Sequence, residues 1–516
     1  MSSNQLNQES RVKKTLLNAR VNLIFYFLTL ALSFFSRKIF LNCLGTDFVG
    51  LTGTLQNLLG FLNLAELGVG TSIGYVLYKP LYEHDRIKIN EIVSVMGYLY
   101  RWIGLVILFA GLVVSFFLPA IYPDRTTGFD LSLIYFAYFS FLVSSLIGYF
   151  INYRQNLLGV DQRNYVVTAY YQTVVIVKTL VQMVLAYWTR NYYLWVAIEL
   201  VFGIIYSIIL NWKINSTYPW LKTEIKLGKK LFKKYPEVIK YTKQIFLHKI
   251  SGFAQFQTTP ILIYALVSLK TVALYGNYTM IFDKVNNLTN NLFGSVSASV
   301  GHLIAENNRE KIIEIFWELL SLRFAVMAII SFGLLNFTND FIRLWLGQEY
   351  ILPNIVLYLL VLNQFLSLSR NINDPFLWGA GMFYDTWAPI CEAVIYIVVA
   401  LIGGSLWGLP GVILGNTISL LIIIVMWKPF FLFRKGFHLP LRIYIVGWGK
   451  VTVYYVFAII STYILLEDYI RYTPGNWFEL IGYVLISTLI FAALFISLFF
   501  AFSSNFRNGV KRVCNR

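Results

Sequence analysis

Charge is what this chain has least of. Only 13% of its 516 residues are Asp, Glu, Lys or Arg, against roughly 25% in a soluble protein. A surface kept mainly in water is thereby excluded. Cysteine is nearly missing, and Cys43, Cys391 and Cys514 are too scattered for a disulfide framework or a thiolate metal site. The four histidines, His84, His248, His302 and His438, lack ligand-like spacing, so no metal site is expected. No Gly-x-x-x-x-Gly-Lys phosphate loop occurs, which excludes ATP as the direct energy source. Paired carboxylates suited to glycosyl transfer are lacking too, as is a sizeable extramembrane region to carry them, so an enzyme is not expected. The first 15 residues are polar and basic, with no short apolar core and cleavage site. A removed signal peptide is therefore not expected, and the first helix should be a permanent span.

What the chain does have is apolar length. Hydrophobic residues make up 58% and aromatics 17%, and the mean hydropathy is +0.64. Tyr and Trp gather near the ends of apolar runs, as they do at bilayer interfaces. A spanning helix needs about 20 apolar residues, and on that ruler the sequence predicts 14 spans. They fall at 18–41, 46–78, 91–119, 131–152, 164–188, 192–212, 246–268, 272–300, 312–336, 351–369, 385–404, 409–432, 443–466 and 479–502. The seventh and eleventh carry polar or charged residues near their starts. The expected fold class is all-α, a polytopic membrane protein with 14 transmembrane helices.

The chain also contains a copy of itself. Shifted by 223 residues, Thr46–Val93 lies over Leu269–Phe316 without a gap, and 11 of the 48 positions are identical. Six of these fall in one motif: Glu83-x-x-Arg86-x-Lys88-Ile89-x-Glu91-Ile92 recurs as Glu306-x-x-Arg309-x-Lys311-Ile312-x-Glu314-Ile315. Its charges read as a solvated face where a loop enters a helix. In membrane transporters such a repeat builds two similar bundles about a pathway. The predicted organisation is two pseudo-symmetric six-helix lobes plus two C-terminal helices. An N-terminal lobe covers 1–215 (helices 1–6), a basic cytoplasmic linker 216–245, a C-terminal lobe 246–435 (helices 7–12), and helices 13–14 with a tail 436–516.

Charge placement sets the expected orientation. With the N-terminus inside, most of the 42 lysines and arginines fall on the cytoplasmic side. These include Arg11, Lys13 and Lys14, nine residues between Lys213 and Lys243, Arg434 and Lys435, and Arg507, Lys511, Arg512 and Arg516. This is the positive-inside pattern, with both termini cytoplasmic. The second and eighth helices then both run outside to inside, so the repeat is parallel. The net charge of +17 follows from loops facing anionic lipid, and no nucleic-acid partner is expected. Lysines mixed with Leu, Phe, Tyr and Ile over Lys226–Lys243 predict an amphipathic helix on the inner membrane surface. A plain tether between the lobes is the alternative.

Ionisable and amide groups inside spans are costly unless paired or wet, which makes them site candidates. Asp283, Asn286, Asn287 and Asn290 fall at i, i+3, i+4 and i+7 of the eighth helix, on one face, flanked by Lys284 and Asn291. Lipid cannot accept that stripe. Amides offer donors and acceptors to sugar hydroxyls, and Lys284 offers charge to phosphate. The competing reading is helix–helix packing through buried amides. The second helix carries Gln56, Asn63, Glu66, Gly68, Gly70 and Gly74, whose glycines permit close packing or a bend. Asn63 is the repeat partner of Asn286, so the two are expected on matching faces of the lobes, lining a cleft. Glu66 and Asp283 are candidates for Na⁺ or H⁺ coupling, against a structural pairing of Glu66; no other cofactor is expected. Lys178 and Glu199 sit at depths within ~4.5 Å in the fifth and sixth helices, which predicts an ion pair. A substrate contact by Lys178 is the alternative. Arg101 and Arg323, repeat equivalents within one residue, either line an inward cavity or reach for cytoplasmic phosphates. Lys249 and Lys450 are lesser candidates.

Three stretches carry a family resemblance: Leu44-Gly45-Thr46-Asp47-Phe48-Val49-Gly50-Leu51, Leu64-Ala65-Glu66-Leu67-Gly68-Val69-Gly70 and Tyr78-Lys79-Pro80-Leu81. With the six-six-two arrangement and basic central loop, they resemble the polysaccharide-repeat flippases, often called Wzx or O-antigen flippases. These belong to the multidrug/oligosaccharidyl-lipid/polysaccharide (MOP) exporter superfamily. The resemblance covers essentially the whole chain, and its degenerate motifs specify fold better than substrate. It implies a V-shaped pair of lobes working by alternating access in the bacterial cytoplasmic (inner) membrane. The cargo it implies is an undecaprenyl-pyrophosphate-linked oligosaccharide, moved from the inner to the outer leaflet for surface polysaccharide such as lipopolysaccharide. It also implies a cationic cavity for the pyrophosphate, a role open to Arg37, Lys38 and Lys284. Snorkelling of Arg37 and Lys38 to the outer interface is the competing reading. The implied partners are the lipid-linked oligosaccharide, membrane lipids, a polysaccharide polymerase and a chain-length regulator. Two other functions share the architecture. One is a peptidoglycan-precursor flippase. The other is a drug–cation antiporter, which predicts twelve spans and a mainly acidic or aromatic cavity.

Overall fold

The computed structural model describes residues 3–66, 68–123, 128–161, 163–293, 300, 303–304, 308–370, 372–380, 382, 385–466 and 472–514. Every regular element among the described residues is helical. The chain divides into two compact units, Met1–Ile261 and Leu262–Arg516.

Unit 1 contains α1 (Ser3–Leu44), α2 (Thr46–Leu62), α3 (Val69–Tyr82), α4 (Arg86–Ser115), α5 (Leu131–Phe150), α6 (Asn164–Thr189) and α7 (Tyr192–Thr217). It also holds most of α8 (Glu237–Leu266). Within it α1 packs along α6, while α7 packs on both α5 and α6. Unit 2 contains α9 (Leu269–Phe293), α10 (Arg309–Trp345), α11 (Asn354–Arg370), α12 (Trp387–Trp407), α13 (Leu409–Ser419), α14 (Leu441–Leu465), α15 (Trp477–Phe502) and α16 (Ser504–Cys514). Beyond Ser419 the α13 rod widens into π-helical turns over Leu420–Trp427 and again over Leu432–Gly436. The core of unit 2 is aromatic. Phe491, Phe495 and Phe499 recur every fourth residue of α15, all fully buried. Phe332 of α10 stacks on Phe491 with ring centroids 4.3 Å apart, and Phe506 of α16 stacks on Phe499 at 4.7 Å.

Outward-facing side chains identify the solvent. Phe116 and Phe478 are 80% and 89% exposed. They belong to an apolar surface far larger than water tolerates, but one that hydrocarbon accepts. The protein is an all-α polytopic membrane protein. Eleven helices among the described residues are long and apolar enough to cross a membrane, against the 14 predicted. The predicted second span is broken, with a 3₁₀ turn at Asn63–Glu66 separating α2 from α3. The predicted seventh and eighth lie on α8 and α9, where polar residues dilute the apolar run; α8 keeps only Phe256–Leu266 as a shorter apolar stretch.

The internal repeat is visible in the backbone. Helices α2 and α9 start at Thr46 and Leu269, α4 and α10 at Arg86 and Arg309, and α5 and α11 at Leu131 and Asn354. Each pair keeps the 223-residue shift of the sequence. The conserved spacing around Lys88 and Lys311 has a shared cause. Asp85 caps α4 by accepting from the Lys88 amide at 3.0 Å, and Asn308 caps α10 by accepting from the Lys311 amide at 3.1 Å. Each cap satisfies one of the orphan donors at a helix start. The Lys88 amide, and after it the Lys88 side chain, hold the Asp85 carboxyl below its ordinary value. Glu306 lies outside the described residues.

The expected amphipathic helix over Lys226–Lys243 is not a single helix. The segment forms a 3₁₀ turn at Ile225–Leu227, a short helix at Gly228–Phe232, and then α8 from Glu237. Pro236 interrupts it, since proline cannot continue a helical hydrogen-bond ladder. Much of the segment rests on α4 rather than lying free. The Lys222 amide donates to Asn90 Oδ1 at 3.1 Å, and the Glu224 amide to Ser94 Oγ at 2.9 Å. Lys234 Nζ and the Tyr235 hydroxyl both donate to the Glu91 carboxylate, at 2.7 and 2.6 Å. Burial, and then that carboxylate, push the Tyr235 hydroxyl above its ordinary pKa. The start of α8 follows onto unit 1. Ser72 Oγ and Thr242 Oγ1 lie 2.7 Å apart, and Phe253 meets Phe61 edge-on at 5.9 Å. The first part of α8 therefore belongs to unit 1, which runs to Ile261.

Candidate functional site

In unit 1 the polar groups gather where the second helix breaks. Asn63 opens the 3₁₀ turn and Glu66 closes it. Gly68 then takes a left-handed conformation, φ +91°, before α3 begins. A side chain there would be strained, and its Cβ would press on Thr242 O at 3.0 Å and Ile245 Cβ at 3.1 Å. The break turns side chains toward α4 and α5. Glu66 Oε1 accepts from the Tyr100 hydroxyl at 2.7 Å. Asn156 Nδ2 donates to the same hydroxyl oxygen at 3.1 Å. Asn63 Oδ1 accepts from Tyr149 at 2.9 Å and from Ser145 at 3.4 Å, and the Tyr100 and Tyr149 rings lie 5.9 Å apart. The result is one carboxylate set among phenols and amides inside a membrane unit. Such a group can hold a proton or a monovalent cation, and the amides can serve hydroxyl ligands.

In unit 2 the predicted polar stripe of α9 divides. Asn286 turns toward α11, where its Oδ1 accepts from Gln364 Nε2 at 3.0 Å. Asn287 and Asn290 are exposed, while Asp283 and Lys284 are half-buried. The charges of Asp283 and Lys284 attract each other. Asn63 and Asn286 thus share a role: each accepts from the fourth helix of its own repeat, α5 or α11. The buried-amide alternative describes these particular bonds. The side chains of Asn291 and Lys249 lie outside the described residues.

The remaining predicted groups are dispersed. Lys178 Nζ of α6 lies 2.5 Å from Glu199 Oε1 of α7. Gln182 completes that carboxylate, donating to Glu199 Oε2 at 3.1 Å. On α1, Arg37 is half-buried and Lys38 exposed. Arg101 is exposed, whereas its near-equivalent Arg323 is buried and donates through Nε to Leu368 O at 2.8 Å.

Two ion pairs to buried carboxylates were not among the predicted residues. Lys428 Nζ meets Asp385 Oδ2 at 2.9 Å, with only 8% and 2% of these side chains exposed. The two residues lie on opposite arms of a hairpin turned at Gly408 and at nearly equal distances from it. The depth comparison that paired Lys178 with Glu199 would have found them. Arg512 Nε of α16 meets the buried Glu318 Oε2 of α10 at 2.8 Å, and no local signal in the sequence joins residues so far apart.

No protein-family model matches the chain, and no curated protein matches it. Solved structures do. The chain is similar to the lipid II flippase MurJ in an inward closed conformation, with TM-score 0.63 and 15% identity over 93% of this chain and 98% of that one. It is also similar to a multidrug resistance MATE family transporter of the MOP superfamily in its inward-facing conformation. There the TM-score is 0.60 and the identity 14%, over 80% of this chain and 97% of that one. An outward-facing MATE structure aligns at TM-score 0.50 and 14% identity, over 80% of this chain and 94% of that one. The chain has the fold of these membrane transporters.

Proposed function

We propose that the protein is a MOP-type flippase that carries an undecaprenyl-pyrophosphate-linked oligosaccharide repeat from the inner to the outer leaflet of the bacterial cytoplasmic membrane. The observation that carries the transporter-flippase reading is coverage. The MATE match uses nearly all of that transporter yet leaves a fifth of this chain unmatched. The lipid flippase match accounts for 93% of it. That favours a lipid-linked cargo over a small drug cation. The second-helix residues, Leu64 to Gly70 above all, support the polysaccharide branch. In this reading Lys284, Arg37 and Lys38 attract the pyrophosphate, Asn63, Asn286, Asn287 and Asn290 face sugar hydroxyls, and Glu66 or Asp283 couples a cation or proton. Both termini lie in the cytoplasm. A peptidoglycan-precursor flippase is the second reading, favoured by the named cargo of the MurJ neighbour.

The test is reconstitution. Proteoliposomes receive labelled undecaprenyl-pyrophosphate-linked oligosaccharide or lipid II, and an impermeant lectin or glycosidase reports arrival at the far leaflet. Faster transfer of the oligosaccharide than of lipid II is expected. The reverse order supports the second reading, and uptake of a cationic dye with no lipid transfer would overturn both.

A further inference from the structure

Unit 2 contains a cavity of about 820 Å³ at the junction of α10, α14 and α16. Two cations line it, Arg442 and Lys450 of α14. Both are exposed, and neither makes a hydrogen bond or ion pair among the described residues. No carboxylate lines the cavity, and the neighbouring Glu314 and Glu318 are engaged by Arg512. Ser503, Ser504 and Asn505, at the start of α16, add polar groups beside a helix end that carries partial positive charge. The rest of the lining is largely apolar, with Val446 and Tyr454 of α14 beside Trp317 of α10 and Phe502 of α15. Gly447 lets the Trp317 ring seat against α14; a Cβ there would collide with the indole.

The shape follows from helix geometry. Arg442, Val446, Lys450 and Tyr454 recur every fourth residue, so they form one ridge ~18 Å long. A free phosphate fills only a small part of that length. Lys450 sits ~14 Å from the start of α14, and an ammonium at that depth needs a counter-charge. The cavity is bordered by the start of α16, the helix that also bears Arg507, Lys511 and Arg512. Anionic headgroups concentrate beside such basic ends. A ligand with a phosphate at one end and hydrocarbon at the other meets both kinds of lining.

We propose that this cavity binds an anionic phospholipid, its headgroup phosphate between Arg442 and Lys450 and an acyl chain along Trp317 and Tyr454. The inference rests on membrane residence alone, not on which cargo is carried. Native mass spectrometry of the full chain in detergent tests it, with phosphatidylglycerol, phosphatidylethanolamine, undecaprenyl phosphate and inorganic phosphate added in turn. Phosphatidylglycerol adducts should outlast phosphatidylethanolamine adducts. Affinity for phosphatidylglycerol should fall about fivefold in Arg442→Gln or Lys450→Gln and roughly thirtyfold in the double variant. Lys435→Gln, which removes a charge away from the cavity, should leave it unchanged. The competition between lipids needs no variant, so a folding defect in the double variant does not blunt the test. Equal retention of the two phospholipids, preference for undecaprenyl phosphate, or displacement by inorganic phosphate would each overturn the proposal.

Discussion

Single side chains decide whether charge is tolerable inside this protein. Lys178 and Glu199 neutralise each other, and Gln182 takes the second carboxylate oxygen. Removing one partner of such a pair leaves the other uncompensated, a loss on the order of 3 kcal/mol or more. Glu199→Gln alone and Lys178→Met alone should therefore lower thermal stability in detergent more than the two combined. If the losses simply add, the pair is not the unit that matters. This pair could be read from the sequence because both residues sit at countable depths from one short connection. Arg512 and Glu318 could not, because their meeting depends on α16 folding back onto α10, where Gly509 lies against Leu322 and Glu318.

At the scale of elements, the telling feature is the interrupted second helix. Apolar length predicted an unbroken span over 46–78, and the glycines there allowed either packing or a bend. The break appears because tertiary partners reward it. Tyr149 and Tyr100 take up Asn63 and Glu66, and Gly68 permits the reversal into α3. Periodicity is blind to such partners, whereas the 223-residue register of the repeat was legible, because the helix starts at Arg86 and Arg309 share the same local capping. Gly68→Ala should cost about 1–2 kcal/mol for the left-handed backbone, plus the crowding against Thr242 and Ile245. Gly68→Asn, which tolerates that backbone better, should melt at a higher temperature in detergent than the Ala variant. Equal melting would assign the whole cost to crowding.

For the molecule as a whole, the question is what drives the cargo. A lipid pyrophosphate carries roughly two negative charges, and each gains about 2.3 kcal/mol per 100 mV on crossing the field. An inside-negative potential would thus bias outward movement by ~4.6 kcal/mol at 100 mV. Under the proposed function, transfer in vesicles should quicken when an imposed potassium-diffusion potential makes the cargo's starting side negative. Lys284→Glu should fall below Lys284→Gln, because repulsion is added to lost attraction. Rates indifferent to the sign of the potential, with Lys284→Glu equal to the parent, would shift the drive to ion exchange through Glu66 or Asp283. The helix that joins the two halves has a consequence of another kind. By its place in the repeat α8 is the counterpart of α1, since α1 ends at Leu44 just before α2 and α8 ends at Leu266 just before α9. By its contacts through Thr242 and Phe253 it serves the first copy. The first copy thus holds a helix that the repeat assigns to the second. A split version cut just before Glu237 would take from the first fragment the partners of Ser72 and Phe61, so the seam of the duplication is not the seam of the packing.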